Sequence, residues 1–292
     1  MVSDLVLNRF FTKSTFQNLV AGKEQAVFDA AVRHCNIDPV GKNYGTIISE
    51  MYRYLDKSYR NEYFYKNTLL NILLLGRHRP STTTALTEVP IGKAKADFVL
   101  INGKAVVYEI KTELDNLERL EHQISEYYKA FRYVVVVTYP ENYSVVEQYL
   151  SNPCVGIYVI TKQGTISRKL VREPQEFTAY LDSTTIFQIM RKHEYENALI
   201  RITGSLPKTT SFQYYRACLS LFCNSLTVLQ AQHELEVALK SRIRINANEL
   251  ALIPRELKFI AYFSDMRSAD YQNAITFLNS FEEEGVECTF QF

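Results

Sequence analysis

The hydrophobic pattern changes between residues 84 and 171, and this change restricts the fold more than any other feature of the sequence. Short runs rich in β-branched residues occupy positions 84–91, 96–101 and 105–111. Asn102-Gly103 separates the last two runs, and this dipeptide is a strong signal for a two-residue hairpin turn. The sequence therefore predicts a set of short strands that begins with antiparallel neighbours.

Helical patterns lie on both sides of these runs. Residues 1–78 are predicted to be helical, a helix at 117–131 precedes a buried strand at 133–138, and a helix at 144–150 precedes a strand at 156–160. After Pro174 only helices are predicted, at about 183–200, 212–239, 254–263 and 268–281. This order predicts an α/β fold with a mixed sheet flanked by helices, followed by an all-helical C-terminal domain. The predicted boundaries are 1–58, 59–174 and 175–292.

Composition restricts the classes of function. The net charge of +1 argues against a protein that coats nucleic acid, although basic residues could still line one cleft. Five scattered cysteines without a C-x-x-C pair argue against a disulfide framework or a zinc site. No apolar run approaches the ~18 residues that a membrane span needs. The expected setting is the cytoplasm, without a membrane partner.

Chemically informative residues lie on two neighbouring predicted strands. Strand side chains alternate, so Asp97 shares a face with Lys93 and Lys95, while Glu109 and Lys111 share a face of the next strand. A two-residue turn at 102–103 would place position 97 near position 108, and a modest stagger or a bulge could bring the Asp97 carboxylate beside Glu109. The spacing alone leaves this register open.

Two neighbouring carboxylates repel each other unless they share a cation, and Mg²⁺ prefers a small number of carboxylate ligands. Lys111 beside such an ion could orient water or stabilise charge on a phosphate. Together these parts suit phosphodiester hydrolysis. The alternative is a solvated strand face on which Asp97, Glu109 and Lys111 form only cross-strand ion pairs.

Two further polar residues lie in apolar settings. Gln123 is predicted on the core-facing side of its helix, where an amide needs a polar partner. Glu62 begins the most apolar helix of the chain, where it could face a partner or a metal. Equally, Glu62 could be a solvated residue favoured by the helix dipole.

A family resemblance emerges from the order of these residues. The pattern consists of Glu62 in a leading helix, Lys-Ala-Asp97, Tyr-Glu109-Ile-Lys111-Thr-Glu-Leu-Asp115 and Gln123-x-x-x-Tyr127. It resembles the PD-(D/E)XK nuclease superfamily, and in particular a little-characterised bacterial and phage-associated branch with a helical C-terminal part. Residues 60–165 carry the resemblance. Ala96 replaces the eponymous proline, at a position that varies in the superfamily.

The resemblance implies a restriction-endonuclease-like sheet and a role for each matched position. Asp97 and Glu109 would bind Mg²⁺, for which Mn²⁺ could substitute, with the backbone carbonyl of Ile110 as a third ligand. Lys111 would be the catalytic lysine, Glu62 an auxiliary acid, and Gln123 would support the site or touch nucleic acid.

The function expected on this basis is cleavage of nucleic acid, DNA in preference to RNA, in bacterial or phage defence, recombination or repair. Lys93 and Lys95 are expected to hold the nucleic-acid backbone, or alternatively to neutralise the carboxylates. A homodimer would suit double-strand cutting, and the helical C-terminal region could bind a protein partner. The rival hypothesis is a catalytically silent module of the same fold that binds nucleic acid or a protein.

Overall fold

The computed structural model describes residues 4–78, 80, 82–243 and 245–281. The chain forms two compact units. One contains the residues up to Asn67 together with those from Asn246 onward, and the other runs from Thr68 to Ile245. Among the described residues, no helix has the length and apolar character that a membrane span requires.

The helices and strands follow one another along the chain. The first helices are α1 (Leu5–Phe10), α2 (Lys13–Val20), α3 (Gln25–His34), α4 (Tyr44–Ser58) and α5 (Glu62–Leu69), which continues as a π-helical segment (Leu70–Arg77). Next come β1 (Thr84–Ile91), β2 (Ala94–Asn102), β3 (Lys104–Ile110), α6 (Leu120–Tyr127), β4 (Tyr133–Thr138), α7 (Tyr143–Tyr149), β5 (Gly156–Ile160) and β6 (Ile166–Arg172). The last are α8 (Ser183–Ile189), α9 (Lys192–Thr203), α10 (Ser211–Ser225), α11 (Val228–Lys240), α12 (Ala247–Leu252), α13 (Lys258–Phe263) and α14 (Ser268–Asn279).

The first unit joins helices from both ends of the chain, and a buried amide connects them. The Asn67 side chain donates to the Tyr52 hydroxyl (3.0 Å) and to the Arg255 carbonyl (3.1 Å). Its oxygen accepts the Phe259 backbone N–H at 3.0 Å. Because a buried amide is costly unless it is hydrogen-bonded, these three bonds fix the segment before α13 against α5.

A mixed six-stranded sheet forms the centre of the second unit, in the order β1-β2-β3-β4-β5-β6. Strands β1 to β3 are antiparallel neighbours, β3 to β5 are parallel, and β6 is antiparallel to β5. The predicted mixed sheet flanked by helices is confirmed. The sequence YVVVVT of β4 has no polar alternation because this strand is buried in the middle of the sheet.

The helices that follow the sheet pack against it. Helix α8 contacts β1 and helix α11 contacts β2. Their apolar faces share one core with Val99 and Val107 of the sheet, to which α8 contributes Phe187 and α11 contributes Leu235. Of the region predicted as a helical domain at 175–292, the part up to Ile245 thus belongs to the sheet unit, and the part from Asn246 belongs to the other unit.

Helix α12 was not predicted, and two further details of the predicted secondary structure are wrong. The helices predicted at 183–200 and 212–239 are each divided in two. The second divides because Thr227 caps α11, accepting the Gln230 N–H (3.3 Å) while its own N–H donates to the Gln230 side chain (2.9 Å). Strand β6 was not predicted, because its sequence ISRKLVR is mostly polar and only partly buried.

The turn between β1 and β2 is held by a buried carboxylate of α6. Gly92 has φ +54°, and Glu126 Oε2 accepts the Lys93 backbone N–H at 2.9 Å. A Cβ atom on Gly92 would overlap with this same oxygen. Gly92 therefore allows both the left-handed backbone and the close approach of Glu126.

We expect Gly92→Ala to reduce the free energy of unfolding more than Gly103→Ala. Gly103, in the β2–β3 turn, has φ +72°, and a Cβ atom there would meet nothing within 4 Å, so its variant carries only the backbone penalty of about 1 to 2 kcal/mol. Gly92→Ala must in addition displace Glu126 from Lys93, at a further ~1 to 3 kcal/mol. Urea unfolding of both variants measures the difference, and equal losses would contradict this role of Glu126.

Candidate active site

The pairing of β2 with β3 brings the predicted acidic residues together. Asn102 pairs with Lys104 and Phe98 with Tyr108. This register is shifted by one residue from the two-residue turn that the sequence predicts, and its continuation places Asp97 opposite Glu109. The Ile110 backbone N–H donates to Asp97 Oδ2 at 2.8 Å, which holds the Asp97 carboxylate beside the end of β3.

Glu109 is buried, with 1% of its surface exposed, and the side chains of Lys111, Tyr127 and Gln123 hydrogen-bond its carboxylate. Lys111 Nζ lies 2.9 Å from Oε1, and the Tyr127 hydroxyl donates to Oε2 at 2.6 Å. Lys111 is also buried, and its Nζ donates to Gln123 Oε1 at 2.9 Å. The structure thus places Glu109, Lys111 and Gln123 in one continuous hydrogen-bonded group next to Asp97.

Burial dominates the electrostatics of this group. Loss of hydration raises the pKa of Glu109, while the Lys111 charge and the hydrogen bonds from Tyr127 and Lys111 oppose the rise without cancelling it. Burial followed by the negative charge of Glu109 raises the pKa of Tyr127 well above its usual range. Additional positive charge near Glu109 would therefore stabilise its ionised form.

Tyr127 also joins α6 to β2. Its hydroxyl lies 2.9 Å from the carbonyl oxygen of Lys95 and 2.6 Å from Glu109. A tyrosine hydroxyl has a single proton to donate, so the two acceptors compete for it. The phenol contacts both strands that carry the carboxylates and thereby links their positions to that of α6.

Glu88 of β1 is an acidic residue that the sequence reasoning missed. One of its carboxylate oxygens lies within 4.8 Å of an oxygen of Asp97, and its side chain forms an ion pair with Lys95. Its φ of +57° is uncommon for a residue other than glycine. The available signal was the Gly92-Lys93 turn, because counting outward from Ile91 and Ala94, which pair, places Glu88 opposite Asp97.

Three further residues were predicted for the site, namely Lys93, Lys95 and Glu62. Lys93 was expected on the strand face of Asp97, but it lies in the turn, because β2 begins at Ala94, and its side chain is exposed. Lys95 is on β2 and contacts Glu88. Glu62 begins α5 in the first unit, is largely exposed, and forms an ion pair with Lys66 at 2.6 Å. The carbonyl role of Ile110 stays a prediction.

The chemistry of these residues fits a hard divalent cation. Asp97 and Glu109 offer only oxygen ligands, and burial disfavours the ionised form of Glu109 in the absence of further positive charge. Each carboxylate has two oxygens with about four acceptor positions, so an oxygen that accepts a hydrogen bond can also contact a cation.

The raised pKa of Glu109 has a consequence for stability. Below the ordinary pKa of about 4.5 the proton is bound in the folded and unfolded states alike, and as the pH rises above 4.5 the folded state holds it longer. Ionisation in the folded protein therefore costs stability as the pH rises. We expect Glu109→Gln, which cannot ionise, to gain stability relative to the natural protein between pH 4.5 and 7.5.

Urea unfolding in EDTA at several pH values measures this difference. Glu118→Gln, at an exposed position just before α6, is the matched control and should follow the natural protein. A stability difference between Glu109→Gln and the natural protein that does not change with pH would show that burial leaves the titration of Glu109 unaltered.

Comparison with known proteins adds one relationship. Protein cII of Enterobacteria phage P4 is 22% identical to this chain over 190 residues, which are 64% of this chain and 66% of that protein. The chain therefore covers just under two thirds of the length of this relative. No solved structure matches the chain. The family model described as Bacteriophage P4 protein cII matches residues 56–252, about two thirds of the chain. The chain belongs to the bacteriophage P4 protein cII family.

Proposed function

We propose that this protein is a metal-dependent nuclease that hydrolyses phosphodiester bonds, in DNA in preference to RNA. The observation that carries the proposal is the buried contact between Lys111 and Glu109, 2.9 Å long, at the strand end where Asp97 also lies. Burying two charges costs several kcal/mol per ion before their attraction is counted. Such a pair beside a second carboxylate is common at catalytic sites.

Each residue has a proposed role. Asp97 and Glu109 hold Mg²⁺ or Mn²⁺, with the carbonyl of Ile110 as a third ligand. A bound magnesium ion would supply Lewis-acid chemistry at the scissile phosphate. Lys111 orients the attacking water and stabilises the negative charge that grows on the phosphate. Gln123 positions Lys111 through its 2.9 Å hydrogen bond.

The arrangement of the sheet is in keeping with this proposal. Antiparallel β1 to β3 carry Glu88, Asp97 and Glu109 in neighbouring positions, and α6 follows with Gln123 and Tyr127. We assign the second unit to the restriction-endonuclease-like fold on this basis. Glu62 as an auxiliary acid is what the family resemblance implies. The phage relative is compatible with a phage-associated role in defence, recombination or repair.

One observation favours a second candidate, a silent module that binds nucleic acid or a protein without cutting. Both oxygens of Glu109 already have partners, Lys111 on one and Tyr127 on the other, so its charge is partly compensated without a metal. In a silent module these contacts would be purely structural. Metal binding and cleavage distinguish the two candidates.

A cleavage assay tests the proposed function. We expect cutting of DNA in the presence of Mg²⁺ or Mn²⁺ and none in EDTA. Asp97→Asn, Glu109→Gln and Lys111→Met should each lower the rate at least about 100-fold, because each removes charge that acts in the transition state. Lys111→Met should change DNA affinity far less than rate.

Lys169→Ala, an exposed lysine of β6, is the matched control and should cut normally. Calorimetry with Mn²⁺ accompanies the assay, and the Asp97 and Glu109 variants should lose the binding. Nucleic-acid binding without metal binding or cleavage in the natural protein would replace the nuclease with the silent module.

The proposed contact of Lys93 and Lys95 with the nucleic-acid backbone can be tested by salt dependence. Each phosphate contact contributes about 0.7 to 0.9 to the slope of log affinity against log salt. Lys93→Ala/Lys95→Ala should therefore bind DNA more weakly and with a shallower slope, whatever the DNA sequence. An unchanged slope would assign both lysines to a structural role, such as the ion pair of Lys95 with Glu88.

A further inference from the structure

A cavity lies in the sheet unit, on the face of the sheet opposite to Glu109. Its volume is about 140 Å³. Leu100, Val106 and Tyr108 form its floor, and these residues alternate along β2 and β3 with Val99 and Val107, which face the core shared with the helices. Tyr108 and Glu109 are consecutive, so the cavity and the candidate active site are on the two sides of the same strand.

Two cations line this cavity. Arg77 ends the π-helical segment, and Lys104 begins β3 at the hairpin. In the part of the chain that the structure describes, neither side chain has a carboxylate within ion-pair distance. Lys104 Nζ instead lies 4.2 Å from the centre of the Tyr133 ring. Both side chains can therefore reach an anion without breaking an ion pair.

A neutral hydrogen-bond donor accompanies the two cations. His78 Nδ1 and Asn102 Nδ2 are 2.6 Å apart. The amide nitrogen can only donate, so Nδ1 accepts and the proton of the neutral ring is on Nε2. Asn102 thereby fixes His78 as a hydrogen-bond donor through Nε2. Both residues line the cavity together with Lys104.

One carboxylate, Glu173, also lines the cavity, and its charge is partly compensated. The Tyr158 hydroxyl donates to Glu173 Oε2 at 2.7 Å. Burial and Glu173 raise the pKa of Tyr158, and Arg77, which hydrogen-bonds the same hydroxyl, opposes this rise. Arg77 and Lys104 leave the lining with a net charge of +1. The site is thus suited to a small anion that also accepts several hydrogen bonds.

We propose that this cavity binds a phosphate monoester, presented either by a free nucleotide or by the end of a nucleic-acid strand. A water molecule occupies ~30 Å³ of liquid, so the cavity has room for a phosphate and a few more atoms and excludes a whole nucleotide. A terminal phosphate can enter it, and its charge of about −1.5 to −2 exceeds that of an internal diester. The inference goes beyond the proposed nuclease, since it uses none of the residues on the other face.

Calorimetry in EDTA, which prevents metal-dependent cleavage, tests the proposal on the full chain. The probes are inorganic phosphate, adenosine and its 5′-monophosphate, and one short DNA strand with either a 5′-phosphate or a 5′-hydroxyl. We expect inorganic phosphate to bind, and we expect the monophosphate and the 5′-phosphorylated strand to bind at least about tenfold more tightly than adenosine and the 5′-hydroxyl strand, respectively. If the mononucleotide binds with the same affinity as the 5′-phosphorylated strand, the ligand is the free nucleotide. If the phosphorylated strand binds much more tightly than the mononucleotide, the ligand is the end of a strand.

Variants locate the binding. Lys104→Ala and Arg77→Ala, which alter exposed side chains, should each weaken the phosphorylated probes about tenfold. Glu173→Gln should tighten them, because it removes the negative charge of the lining. Arg168→Ala on β6 is the control with unchanged affinity, and thermal unfolding confirms that each variant is folded. Equal affinity for phosphorylated and unphosphorylated probes, or unchanged binding in both cation variants, would overturn the proposal.

Discussion

The buried carboxylate of Glu109 is the constraint on which the arrangement of the second unit depends. It is ionisable and has almost no contact with solvent, so its surroundings must provide hydrogen bonds and positive charge. Lys111 provides the charge from the same strand, and Tyr127 provides the hydrogen bond from α6. Helix α6 can provide this hydrogen bond only when it packs against the sheet, where it contacts β2. Glu126, which precedes Tyr127 in α6, at the same time holds the β1–β2 turn through the Lys93 backbone N–H.

Much of the fold can be predicted from the sequence because most elements carry their own local signals. The strands at 84–91, 133–138 and 156–160 coincide with β1, β4 and β5, since runs of β-branched residues have few other ways to be buried. The divisions in the C-terminal helices depend on caps such as Thr227, which a purely hydrophobic pattern ignores. Strand β6 lacks a distinctive pattern, and it forms because β5 offers it an open edge.

For the candidate site, likewise, the sequence predicts the residues but not all of their contacts. Asp97, Glu109, Lys111 and Gln123 could be nominated from residue type and alternation, because those properties are local. Their actual contacts depend on a register that is shifted by one residue at Gly103, and the turn type alone does not reveal this shift. The family match at 56–252 contains the entire second unit, so the sheet and α8 to α11 occur within one region of sequence similarity.

The amide of Asn67 has a consequence for the order in which the chain is made. Its partner Arg255 is 188 residues farther along, and Phe259 comes later still. A ribosome synthesises the whole of the second unit between these partners, so the sheet can fold while the first helices still lack their C-terminal complement. Until residue 259 leaves the ribosome, the Asn67 side chain lacks its hydrogen bonds with Arg255 and Phe259. In that interval the N-terminal helices lack the contacts that α13 and α14 later make with α2 and α4.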